Sequence, residues 1–329
     1  MATLVLDRAQ LWVKSEGNTL ALYEAGERRG TVPIKLIDRC IIQGSQTQLD
    51  SGVLMRLAEA GVTTVLMSTR LPKRVAIVLG LQHNDAAVRL AQANRVMDDT
   101  ACRQWSLALV QSKLMRQQRT LQHWMTLRPD ARKPLWDAQQ TIAPILTGLR
   151  DASPEDPPSL LSLRGFEGSA ARAYFGGMSG VMPVGLGFAG RNRRPPKDPV
   201  NVCLSLAYTL LHSQAVQACT CTGLDPMLGF YHRPAFGRES LACDLIEPLR
   251  PAVDQWVWDL LRQRTLREEH FSLDKGACVL GKAGRSVFYA DWERAHVPLC
   301  RWLRRHTRTL AHHLRGVGQA WLQDGDDDE

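Results

Sequence analysis

The feature that most constrains the fold is a change of hydrophobic period near residue 80. Before it, short runs rich in Val, Leu, Ile and Tyr are broken by turn residues such as Gly17-Asn18 and Gly26. Residues 3–7 (TLVLD), 10–16 (QLWVKSE), 19–25 (TLALYEA), 30–37 (GTVPIKLI) and 39–44 (RCIIQG) therefore read as strands. One helix is expected between residues 49 and 61, where Val53, Leu54, Leu57 and Ala60 recur at helical spacing and Asp50-Ser51 offers a cap. Residues 62–68 (VTTVLMS) read as one more buried strand. Beyond residue 80 the pattern becomes long and amphipathic. Residues 84–127 are almost free of Gly and Pro and predict two or three helices. Further helices are expected over 133–149, after the loop 153–158, over 201–218, over 238–263 and onward to Trp321. The expected fold class is α+β: a β-rich domain over 1–80, a larger all-α domain over 81–323 and a solvated acidic tail over 324–329.

Charge narrows the function. The chain of 329 residues carries 41 Lys and Arg and a net charge of +8, with a pI near 9.2. Residues 324–329 are nearly all acidic, so the body is more basic than the total suggests. Such a balance points to an anionic partner, of which nucleic acid is the commonest. No stretch reaches the roughly 18 apolar residues of a membrane span, and the first residues lack the layout of a signal peptide. A cytoplasmic protein without membrane partners is expected. The 8 cysteines contain no Cys-x-x-Cys pair, so free, mostly buried thiols are expected rather than a zinc site or a disulfide framework.

Three segments carry candidate chemistry. In residues 241–251 (LACDLIEPLRP), Asp244 and Glu247 are one helical turn apart beside the stripe of Leu241, Leu245 and Leu249. Two convergent carboxylates repel unless a cation or proton relieves them. Pro248 marks a first turn or a kink. In residues 228–238 (LGFYHRPAFGR), His232 sits among aromatic residues and a proline, where one ring nitrogen can be offered to a metal while a partner fixes the tautomer. In residues 164–177 (RGFEGSAARAYFGG), Glu167 lies on a Gly- and Ala-rich helical stretch flanked by Arg164 and Arg172. Each has an ordinary reading alone: an acidic helix start, a hydrogen-bonded histidine, a surface ion pair. Together they form a mixed oxygen and nitrogen donor set suited to Mg²⁺ or Mn²⁺. Between them, residues 191–201 (RNRRPPKDPVN) form a proline-stiffened basic loop ahead of a helix. Arg191, Arg193, Arg194 and Lys197 are candidate DNA-phosphate contacts there, with Asp198 as a candidate cap.

The ordered series formed by the Glu167 helix, NRRPPKDPVNVCLSLAYTLL, GFYHRP, LACDLIEPLRP and FSLDKGACVLGKAGRSVFYADWE resembles the integrase family of CRISPR adaptation, CRISPR-associated protein number one. SQTQLDSGVLMRLAEAGVTTVLMST resembles that family's strand–helix–strand segment. The resemblance implies an N-terminal β-sandwich that mediates homodimerisation and a helical catalytic domain. It implies a divalent metal on Glu167, His232 and Glu247, with Asp244 a functionally important acid one turn earlier. It also implies a partner, the small CRISPR-associated protein number two. The implied reaction is a transesterification, in which the 3′-hydroxyl of a captured DNA fragment attacks a phosphodiester of the CRISPR repeat. The acidic tail and the eight cysteines lie outside the family pattern. The chain begins at Met1 without a reverse transcriptase or RNA-processing domain, so a complete short member or a separately expressed one is expected.

Two other readings stay open on sequence alone. A metal-dependent endonuclease would use the same residues with water as nucleophile, on branched or single-stranded DNA. A non-catalytic DNA-binding scaffold would have no need to converge carboxylates near phosphate. A nucleotide-dependent metabolic enzyme is disfavoured, since the chain has no Walker-type loop, dinucleotide fingerprint or nucleophile elbow.

Overall fold

The computed structural model describes residues 2–44, 46–68, 74–80, 83, 85–192 and 195–323. Contacts divide the chain into two units, one of Met1–Asn84 with Phe288–Val297 and the other of Asp85–Val287 with Pro298–Glu329.

In the first unit, alternation forms most of the expected strands, but the one expected over 30–37 stops at Pro33, where a 3₁₀ turn, Ile34–Leu36, begins. In β2 (Leu11–Glu16), Leu11 and Val13 are buried while Trp12 is exposed, so one strand face supplies core and the other meets solvent. β2 pairs antiparallel with β3 (Thr19–Glu24), which pairs antiparallel with β4 (Glu27–Pro33). With β1 (Ala2–Leu6), β5 (Ile37–Ile42), β6 (Gln48–Leu49), β7 (Thr63–Met67) and β8 (Arg74–Val78), they form two four-stranded sheets, ordered β4-β3-β2-β6 and β1-β5-β7-β8. β1, β5 and β7 are mutually parallel. A parallel pair needs a crossover, and α1 (Ser51–Glu59) supplies it between β5 and β7. Val53 and Leu57, four apart on α1, join Leu6, Val13, Leu20 and Cys40 in one core. This is the β-sandwich-like N-terminal domain expected. The unit also takes in Phe288–Val297 of the last helix, which the period change at residue 80 does not foreshadow. There Tyr289 donates to the buried Gln43 amide oxygen at 2.8 Å, and Glu293 accepts from the Thr3 N–H at 2.8 Å.

The second unit is built on α2 (Ala86–Met97), α3 (Asp99–Leu127), α4 (Arg132–Arg150), α5 (Leu160–Val181), α6 (Pro199–Thr220), α7 (Ser240–Ile246) and α8 (Arg250–Arg262), with α9 (Lys282–Gln323) as the last described helix. α6 is apolar nearly all round and buried nearly all round, which makes it the central helix. Asp198 caps it by accepting the Asn201 N–H at 2.9 Å, and Pro199 stands in the first turn, where its missing N–H costs nothing. α4 and α5 pack closely because Gly177 and Gly180 leave room for Ala138 and Pro134. Two features differ from the expectation. The helix expected over 238–263 is broken at Glu247–Leu249 into α7 and α8 by a 3₁₀ turn, since Pro248 and Pro251 cannot donate to the preceding turn. The domain expected to be all-α also holds a hairpin, β9 (Phe271–Asp274) and β10 (Ala277–Leu280), turned at Lys275 and Gly276, both at positive φ.

No helix among the described residues is long and apolar enough to cross a membrane. All eight cysteines are free and six are buried. Burial pushes the Cys40 thiol up to about 12, so it stays protonated.

Candidate active site

Four elements of the second unit converge. α5 brings Glu167, the loop after α6 brings His232, the break between α7 and α8 brings Glu247, and α3 brings Lys113. Lys113 was not singled out from the sequence. Its ammonium bridges the two glutamates, donating to Glu167 Oε1 and, at 2.5 Å, to Glu247 Oε2. Arg250 Nε lies 2.9 Å from the other oxygen of Glu247.

Burial alone would raise the Glu247 pKa. Arg250 first and Lys113 next outweigh it and hold the carboxyl at about 2. Burial would likewise lower Lys113, but the charges of Glu247 and Glu167 overcome it and raise its pKa. Glu247 and Lys113 thus hold each other in their charged forms.

His232 is set by Asp244. This carboxylate is fully buried and accepts four hydrogen bonds: from the backbone N–H groups of Phe230, Tyr231 and His232 at 2.8, 3.0 and 2.9 Å, and from His232 Nδ1 at 2.7 Å. Burial still raises the Asp244 pKa against these bonds, chiefly the one from His232. Because Nδ1 is engaged, Nε2 is the nitrogen left for a ligand. Gly229 makes the loop possible, since a Cβ there would stand 2.6 Å from the His232 carbonyl oxygen and 2.6 Å from the Ser240 carbonyl carbon.

Glu167, His232, Glu247 and Lys113 line one cavity of about 800 Å³. Arg164, Arg191, Arg233, Arg238, Arg250 and Asp254 line it too. Asp244 does not. It stands behind His232 and positions it, which separates it from the three residues with which the sequence grouped it. Arg191 reaches the cavity but is tied to Asn201 Oδ1 at 2.6 Å and Ser205 Oγ at 3.0 Å, with its guanidinium over the Tyr208 ring. Lys197 is exposed and does not line the cavity, while Arg193 and Arg194 lie outside the described residues. Also lining the cavity, the Tyr208 hydroxyl donates to the buried Asp254 carboxylate, whose pKa burial raises to about 6. Arg250 lies over the same ring, 4.5 Å from its centroid.

Glu167 and Glu247 oxygens with His232 Nε2 are hard and borderline donors, the chemistry Mg²⁺ or Mn²⁺ takes. As arranged, the Lys113 ammonium stands between the two carboxylates where a cation would go. Among the described residues no three His, Cys, Asp or Glu side chains are gathered closely enough to hold an ion. The donor types fit a divalent metal, and a metal entering there has to displace Lys113 or share the carboxylates with it.

The helical unit brings glutamates and a histidine together in a cavity with several arginines, a lining suited to an anionic ligand. The comparisons with known proteins make this particular. The family model for CRISPR associated protein Cas1 matches residues 4–294. The chain is 32% identical over 328 residues to a CRISPR-associated endonuclease Cas1 of Thermodesulfovibrio yellowstonii, covering 99% of each chain. It is 34% identical to one of Rhodospirillum rubrum, covering 92% of each. The chain belongs to the Cas1 family. Its fold is shared with a casposase bound to integration product (TM-score 0.82, 22% identity, 96% of this chain and 91% of that one) and a Cas1 protein from Thermotoga maritima (0.80, 21%, 96% and 97%). It is shared also with a chain of a Cas6-RT-Cas1–Cas2 complex (0.77, 22%), of which it covers 97% of this chain and 35% of that one.

Proposed function

We propose that this protein is a metal-dependent DNA integrase of CRISPR spacer acquisition, joining 3′-hydroxyl ends of captured DNA to the CRISPR repeat by transesterification. The observation that carries the reading is the meeting of Glu167, His232 and Glu247 in a cavity whose other charged walls are mainly arginine. Paired carboxylates in a cationic cavity suit a reaction that gathers negative charge on a phosphate. Family membership and the endonuclease names of the relatives support it.

Glu167, His232 and Glu247 would hold Mg²⁺ or Mn²⁺, which supplies Lewis-acid stabilisation of the phosphate and of the departing oxygen. The protein's own groups do the rest. Arg164 and Arg250 line the cavity and pair with phosphate oxygens. Arg191 adds charge at one wall, and Arg193, Arg194 and Lys197 would contact DNA phosphates. Asp244 keeps Nδ1 of His232 engaged, so the ring turns a fixed nitrogen to the site. The β domain would form the homodimer, and CRISPR-associated protein number two would complete the assembly; a chain of a Cas6-RT-Cas1–Cas2 complex shares this fold.

Incubating the purified protein and its small partner with a DNA fragment and a supercoiled leader-repeat plasmid tests the reading. Covalent joining with Mn²⁺ or Mg²⁺ is expected, abolished by EDTA and by His232→Ala. Cutting without joining would identify an endonuclease working with water. Binding with neither activity, unchanged by Glu167→Gln, would identify a scaffold.

A further inference from the structure

The loop that carries His232 continues into a tight turn at the edge of the cavity. Arg233, Pro234 and Arg238 line the cavity, and Ala235 and Arg238 pair across the turn, with the Arg238 N–H donating to the Ala235 carbonyl at 3.1 Å. The two residues at its tip are Phe236 and Gly237, and Gly237 takes φ +66°, the left-handed conformation that such a turn assigns to glycine. The turn is fastened from below. The Arg238 guanidinium donates to the Arg233 carbonyl, and Arg233 donates to the Val96 carbonyl at 2.8 Å. The same loop buries its other aromatic rings, Phe230 and Tyr231. Phe236 alone is held outward, at 108% relative exposure, more than any other large apolar side chain among the described residues. Burying such a ring is worth about 2–3 kcal/mol, so a rigid turn that presents it to water gains nothing for folding.

We infer that Phe236 is a stacking platform for an unpaired nucleobase of the DNA whose phosphate enters the cavity. The inference rests on the reading of the cavity as a DNA-processing site and names the part of the substrate met at its edge. Charge selects the occupant. Lys113, Arg164, Arg191, Arg233, Arg238 and Arg250 line the cavity against Glu167, Glu247 and Asp254, so the chain that settles there is anionic. The polymer that joins a phosphate to a flat apolar face one nucleotide away is nucleic acid, and base stacking on an aromatic ring accepts any base. A paired base hides its faces in the duplex, so the ring distinguishes a splayed or branched end from a continuous one. Strand joining at a branched intermediate leaves such an end beside the reacting phosphate.

The test measures binding of the full chain to a duplex with one splayed, unpaired end and to the same duplex fully paired, by fluorescence anisotropy. Phe236→Ala is expected to weaken binding of the splayed DNA by about 5- to 150-fold, from the usual worth of one base stacked on an aromatic ring. Phe236→Trp is expected to restore it, and the fully paired duplex to change by less than about 2-fold, since it offers no free base face. The loss should be the same factor at low and high salt, because a neutral ring releases no counterions. 2-Aminopurine at the first unpaired position should report a stacking change with the wild type and not with Phe236→Ala. Equal loss on both DNAs, or tight binding that Phe236→Ala leaves unchanged, would overturn the inference and leave the DNA-processing reading intact. Unchanged DNA binding with lost self-association would assign the ring to a protein interface and overturn it as well. Failure of the wild type to bind either DNA would overturn both.

Discussion

Lys113→Met keeps the length and apolar stem of the side chain while deleting the ammonium between Glu167 and Glu247. The Lys113 and Glu247 side chains are each 8% exposed and Glu167 is 23% exposed, so little water can replace what is removed. Two carboxylates would then face each other, with Arg250 on only one of them. Removing one partner from a buried ion pair costs about 3–5 kcal/mol. The partial exposure of Glu167 and the survival of Arg250 place the cost at the low end, about 3 kcal/mol. For a unit of this size that lowers Tm by roughly 6–12 °C. The sign with pH is fixed by Glu247. Its folded pKa of about 2 lies below its ordinary 4.5, so the stability it contributes is present above pH 4.5 and is lost as pH falls toward 2. In Lys113→Met this carboxyl takes up its proton at higher pH, so the deficit against wild type should be largest at neutral pH and shrink in acid. The assay is thermal melting in EDTA and in Mn²⁺, at pH 4 and pH 7.5. Mn²⁺ should restore much of the loss, and Mn²⁺ titration by electron spin resonance should show tighter binding to the variant, which has no ammonium to displace. A variant that melts as wild type does in EDTA would refute the counterion role. One that melts low and is indifferent to Mn²⁺ would refute the placing of the metal on these two carboxylates.

Three further outcomes are expected. Asp244→Asn must set an amide N–H₂ against at least one of the four groups now donating to the carboxylate, costing about 1–3 kcal/mol. It should lower the joining rate about 10- to 100-fold with DNA affinity kept, and imidazole NMR should show His232 no longer held at Nδ1. Gly229→Ala places a methyl against two backbone atoms at 2.6 Å. It should cost about 1–3 kcal/mol and impair joining as Asp244→Asn does, whereas Gly168→Ala, which meets nothing within 4 Å, should leave the melt unchanged. Asp254 has a folded pKa raised to about 6 from its ordinary 3.8, so its contribution is fully present below pH 3.8 and is lost as pH rises through 6. Asp254→Asn keeps an acceptor for Tyr208 and should gain on the wild type by on the order of 3 kcal/mol across that window, read from denaturant melts at pH 4 and pH 7.

The sequence discloses the elements of this protein better than it discloses the site's internal balance. Strands appear wherever one face is buried, as in Leu11 and Val13, and the helices appear from their long apolar period. The β9–β10 hairpin stays hidden because four-residue strands carry too little alternation to separate them from loop. Glu167, His232, Asp244 and Glu247 are visible because their neighbours are distinctive: a glycine-rich helix, an aromatic turn, two acids one turn apart. By spacing alone Asp244 and Glu247 look equivalent, and the fold gives each its partners, turning one toward three backbone N–H groups and the other toward Lys113 and Arg250. Lys113 did leave a trace. On α3 the buried side chains run Ser106, Val110, Lys113, Gln117 and Leu121, so a lysine occupies a position in the inward stripe where a leucine would be expected. A charged residue in that stripe requires an opposite charge across from it, because unpaired burial is too costly to survive. The candidates across from it were the glutamates already singled out. That buried lysine calls for acids opposite α3, and the fold supplies Glu167 from α5 and Glu247 from the α7–α8 break.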